Sequence, residues 1–157
     1  MKKFLKTISV IHLALIAGQI LFGAFAYIKV ASRGVIGIKT NDSPFIYLVP
    51  TFAIAAVIAG NIIFNKALSN LLNIEPLKER MRAYQASLIR RYSLLEGASL
   101  FGIAACMVTS NLLYLTVSGL LVVYGVSLKP AAQKIEKDLQ LTYQDKLELE
   151  EAEEVVE

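Results

Sequence analysis

The chain of 157 residues has one cysteine, one histidine, no tryptophan and only 18% charged residues, and each shortage removes a class of function. A single thiol, Cys106, excludes an intramolecular disulfide and any multi-cysteine metal site, which leaves it a packing role. His12 has no second histidine to complete a metal centre. With no Gly-rich phosphate loop, no metal-spaced cluster and no set of nucleophile, base and orienting group, an enzyme is the class with least support, and neither metal nor cofactor is expected. Nucleic-acid binding is also unsupported, because the net charge of +3 sums basic clusters and an acidic tail without forming a basic reading surface.

What is there is apolar length. Hydrophobic residues make up 55% of the chain, its mean hydropathy is +0.55, and a soluble domain carries charge on about a quarter of its residues. The charges cluster at Lys2 to Lys6, Lys29 to Asp42, Lys66 to Arg91 and Lys129 to Glu157. Between them lie stretches long enough to cross a bilayer, which takes roughly 20 residues. The expected fold is all-α: an integral membrane four-helix bundle with spans over about 4–28, 45–65, 87–109 and 112–128, followed by an acidic tail over 131–157. Only Thr109-Ser110-Asn111 separates the last two spans, so they should be antiparallel neighbours. Pro44 fits a first helical position behind Ser43 as cap, and Pro50 should kink the second span.

Orientation follows from Lys and Arg, which are retained on the cytoplasmic side. They precede the first span and crowd the 66–91 connection, whereas the 29–42 connection has fewer, so both termini should be cytoplasmic. Tyr27, Tyr47 and Tyr114 then fall at the outer boundary and Tyr92 and Tyr124 toward the inner one, as an aromatic belt requires. The competing reading of the N-terminus is a cleaved signal peptide, with Lys2-Lys3, an apolar run and the small-residue site Ala24-Phe25-Ala26.

Glu96 is the residue that stands out, a carboxylate inside the apolar run Tyr92 to Ser110. Counting from the basic anchors Lys6, Lys66, Arg91 and Lys129 places His12, Asn61, Glu96 and Tyr124 at one depth, about 7 to 9 Å above them. Glu96 can be a structural group bonded to Asn61 or His12, a carboxylate reaching interfacial water, or a proton, ion or ligand site. Gln19, deeper in the first span, should bridge helices.

Small residues recur at four-residue spacing in Ala14 and Gly18, Ala56 and Gly60, and Ala98 and Gly102, which favours close helix contact within one chain or between chains. The segment Ala14 to Gly23 also aligns with Ala56 to Asn65, and Glu96 to Gly102 echoes both, each with Gly followed four residues later by Phe. Duplication and the ordinary composition of membrane helices both account for that.

Outside the membrane, Leu77, Met81, Tyr84 and Leu88 form an apolar stripe behind Pro76, either lying on the inner leaflet or extending the third span. The tail should be solvated or docked on the basic segment 78–91, with a short helix near 131–139 and a capping box at Thr142-Tyr143-Gln144-Asp145.

With these spans, the Tyr92 to Gly102 string and the Leu128-Lys129-Pro130 exit, the whole chain resembles small, uncharacterised four-span membrane proteins of Bacteroidetes. The resemblance implies a multi-pass protein of the bacterial inner membrane and no particular activity. Leu95-Glu96-Gly97-Ala98 with Phe101-Gly102 is similar to the carboxylate helix of rotary ATPase proteolipid subunits, which implies an ion-carrying Glu96 in an oligomeric ring. The chain departs from that pattern in lacking an alternating-glycine first helix and an Arg-Gln-Pro loop. Two functions are therefore expected: a structural or accessory membrane subunit, with the lipid bilayer, its own copies or a larger membrane complex as partners, or a small transporter or channel using Glu96.

Overall fold

A computed structural model of the chain describes residues 2–34, 37, 38, 40, 41 and 44–154, with the backbone alone for 148 and 150–154. The described residues form six helices, α1 Lys2–Ala31, α2 Phe45–Leu71, α3 Leu77–Thr109, α4 Leu112–Ser127, α5 Ala132–Asp138 and α6 Tyr143–Glu154. There is no strand among them, only an isolated parallel bridge between Gly37 and Asn111. The expected all-helical class holds. Three helices, α1 to α3, are long and apolar enough to cross a membrane. The fourth expected span is shorter than a bilayer: α4 has 16 residues, about 24 Å against a hydrocarbon core of about 30 Å. It passes the same test only together with α5, which is bent from it by 78°.

α3 is the central element, with contacts to α2, α4 and α1 in decreasing extent, and both α1 and α2 also touch α4. The α3–α4 pair therefore forms the spine, and α1 and α2 flank it. The expected tight turn joins the pair. Ser110 closes α3 in the left-handed region at φ 56°, its N–H donating to Cys106 O at 2.8 Å, and the Asn111 side chain accepts from Leu113 N–H at 3.1 Å to start α4. One orphaned group at each of these helix ends is thus satisfied within two residues. Arg33, beyond α1, donates from Nη1 to Met107 O at 2.7 Å, placing a cation where the α3 dipole is negative. Leu112 N–H donates to Gly37 O at 3.1 Å, so the α1–α2 connection is fastened over this turn.

Core packing divides by end. At the turn end Val30, Val49, Ala105, Cys106 and Tyr114 cluster. At the other end Ile8, Phe64, Leu71, Leu77, Tyr84 and Leu128 meet, joined by Ile135 and Leu139 of the tail. Of the tyrosines expected at the outer boundary, Tyr27 and Tyr47 are exposed, whereas Tyr114 is fully buried. Tyr92 is buried as well, its hydroxyl donating to Leu128 O at 3.0 Å. Packing the α3–α4 spine outweighs the interfacial preference of both phenols.

The apolar stripe Leu77, Met81, Tyr84 and Leu88 is buried along its whole length, and its helix is continuous with the third span. Of the two expected arrangements, extension of the helix is the one found. Pro76 precedes the first helical residue as N-cap. Pro44 likewise occupies the N-cap of α2, one position earlier than expected, and Tyr47 and Leu48 donate to its carbonyl at 3.1 and 3.2 Å. Ser43 lies outside the described residues. Pro50 sits inside α2 as expected.

The tail is not simply solvated. Ile135 of α5 and its C-cap residue Leu139 are completely buried, and Tyr84 donates to Asp138 Oδ2 at 2.9 Å, so this helix docks on the extension of α3. The apolar Ile135 and Leu139, four residues apart on one face, outweigh the acidic composition that favoured solvation. α6 starts with the expected capping box: the Thr142 N–H and hydroxyl each donate to Asp145 Oδ2 at 2.8 Å, and the Asp145 N–H returns to Thr142 Oγ1 at 3.3 Å. These bonds hold the Asp145 carboxyl below its usual range.

Candidate functional site

The expected polar layer at the basic end divides into two groups on opposite flanks of α3. On the α2 and α4 side, Asn61 Nδ2 donates to Tyr124 OH at 3.0 Å. Both are gathered around Arg91, whose Nη2 donates to Asn61 Oδ1 and lies 3.4 Å from Tyr124 OH. Arg91 is only 8% exposed, and its Cζ stands 4.9 Å from the centroid of Phe64, a cation–π distance. Gly60 lies against it, where a Cβ would make ordinary contact with Arg91 Cγ at 3.5 Å. No carboxylate among the described residues pairs with the guanidinium, and its Nε is buried without a partner.

On the α1 side, His12 stacks on Tyr92 with ring centroids 4.6 Å apart. A narrow void of about 10 Å³ runs beside it between α1, α3 and α4, about one water probe at most. Gln19 donates to Leu15 O at 3.2 Å, within its own helix, so the expected interhelical bridge is absent from its hydrogen bonds. Glu96, one turn beyond Tyr92, is half-buried and makes no hydrogen bond or ion pair with a described residue. The expected bond from Glu96 to Asn61 or His12 is not formed, because Asn61 is turned to Arg91 and His12 to the Tyr92 ring.

Arg91, expected as a basic anchor at the membrane boundary, is instead buried. The signal was available: Arg91 lies three residues after Leu88 and seven after Tyr84, on the buried stripe, whereas Arg90 points out.

The three small-residue pairs also have different environments. Ala56, Gly60, Ala98 and Gly102 are buried, Gly60 against Arg91 of α3 and Gly102 against α4, where a Cβ on Gly102 would lie 2.3 Å from Ser118 Oγ and 3.2 Å from Tyr114 O. Ser118 Oγ sits 2.9 Å from Ser99 O across that contact. Ala14 and Gly18 are exposed, and nothing lies within 4 Å of a Cβ built on Gly18. Gly97, the third glycine of the repeated motif, is also open, so the motif has no common structural setting. No family model, curated protein or solved structure matches the chain.

Proposed function

We propose that this chain is a structural or accessory subunit of a membrane assembly, held in a bacterial inner membrane with both termini cytoplasmic, and that it packs through α1 against a second copy or a larger membrane protein. The observation that carries this reading is the outward face of α1, where Ala14, Ala17 and Gly18 are exposed while the two comparable pairs are used inside the chain. In hydrocarbon, helices associate through close approach at small residues. A glycine facing lipid costs roughly 0.5–1 kcal/mol against alanine and gains no contact in return. A covering helix supplies that contact.

The test is Gly18→Leu, with mass measured in mild detergent after extraction from the native membrane. The wild-type chain is expected to run as an assembly and the variant as an intact, folded single chain. A wild-type monomer that carries nothing with it, or an assembly unchanged in Gly18→Leu, sinks the reading. The carrier reading centred on Glu96 has less to support it, since Asn61 and Tyr124 are engaged by Arg91 and Glu96 stands apart from them.

A further inference from the structure

Between α2 and α4 lies an open apolar groove of about 350 Å³, lined by Pro50, Ala53, Val57, Ile58, Leu121 and Tyr124 among others. Its rims, Ile54 and Leu120, are 59% and 66% exposed, so it opens sideways, toward hydrocarbon in a membrane. Along α2 it extends from Pro50 to Ile58, a rise of about 12 Å. Its wall is apolar until Tyr124, and behind that phenol, outside the lining itself, lie the Asn61 amide and the buried Arg91 guanidinium that bond to its hydroxyl.

That guanidinium is under-compensated. Asn61 Oδ1 and the Phe64 face answer part of its charge, yet no described carboxylate is paired with it and Nε has no acceptor. A buried cation without a counter-charge is destabilising, and an anion at that end relieves it. Tyr124 donates its hydroxyl proton to Asn61 Oδ1 at 3.3 Å, the longer of two bonds on that oxygen, so a phosphate arriving at the groove end competes for this proton with a shared amide acceptor. Lys66 and Lys129 follow Asn61 and Tyr124 by five residues, both exposed, and add positive potential about 7.5 Å further along the axis.

We infer that this groove binds a phospholipid of net negative charge, with an acyl chain along the apolar wall and the phosphate at the Arg91 and Tyr124 end. A zwitterionic lipid fills the groove and brings the same phosphate, but its own ammonium cancels that charge and is repelled by Lys66 and Lys129. A free phosphate answers the charge and leaves the groove empty. An anionic phospholipid does both, and the planar guanidinium matches phosphate oxygens in a fork.

The test uses the full chain reconstituted in nanodiscs of equal phosphatidylglycerol and phosphatidylcholine, with retained lipid counted by native mass spectrometry. The wild-type chain is expected to keep one phosphatidylglycerol with about tenfold preference, equivalent to about 1.4 kcal/mol. Arg91→Gln brings the ratio to about one, and Tyr124→Phe lowers it about threefold. Tyr124→Phe preserves the packing volume and decides the matter if Arg91→Gln does not fold. Val57→Phe fills the groove and abolishes retention of either lipid. Equal retention of both lipids by the wild-type chain overturns the inference, as does a preference that persists in every folded headgroup variant. Retention that survives in Val57→Phe, or release of the lipid by inorganic phosphate alone, overturns it as well.

Discussion

Gly102 holds α3 and α4 closer together than any side chain permits. A methyl group there meets Ser118 Oγ, which can turn, and Tyr114 O, which belongs to the α4 backbone and cannot move without the helix. Gly102→Ala is therefore expected to destabilise the fold by about 1–3 kcal/mol, read as a lower melting temperature by circular dichroism in detergent. A melting temperature equal to wild type shows that the spine is looser than its geometry. The same contrast explains what sequence alone conveys at this scale. The small pairs were legible as packing positions, because spacing reveals proximity to some helix, but Ala14 and Gly18 carry the same pattern as Ala98 and Gly102 and face outward. Direction is a tertiary property. Arg91 is the opposite case, legible from its place on the Leu77 to Leu88 stripe yet hidden by the expectation that a cation beside Arg90 seeks water.

The helices themselves were the most readable level, since apolar runs and turn residues act locally. The third and fourth helices start at Leu77 and Leu112 and the turn between them lies where it was expected. The behaviour of α5 was harder to read, because Ile135 within it and Leu139 just past its end say little until the surface they meet is known. Ile135 and Leu139 are both fully buried, and Ile135→Ala is expected to remove about 2–5 kcal/mol of buried packing. Tyr84→Phe removes one hydrogen bond to Asp138, worth about 1 kcal/mol. Both should raise amide hydrogen exchange over 132–138, Ile135→Ala the more, while exchange over 95–106 stays as in wild type. Unchanged exchange in both variants means that α5 is not held by these contacts. The ion pair between Lys146 and Glu136 is partly exposed on both sides, so it adds little.

For the molecule as a whole, the proposed orientation makes a distinction that the packing does not. Thr40 and Asn73 are exposed at opposite ends of α2, and fully buried Cys106 should stay silent to thiol reagents. In intact cells Thr40→Cys is expected to react with a membrane-impermeant maleimide and Asn73→Cys only in inverted vesicles. Reversed labelling inverts the topology, and labelling of both from one side means that α2 does not cross.

α3 runs unbroken for 33 residues, about 50 Å, or some 20 Å more than the hydrocarbon core is thick. Tyr84, which carries the tail, and Arg91, which carries the buried charge, sit two turns apart on one side of that rod. In the proposed membrane placement such a shaft is a lever: tilting its end beyond Tyr84 would move the guanidinium with it, and a lipid in the groove beside Tyr124 would work against the short arm of the same beam.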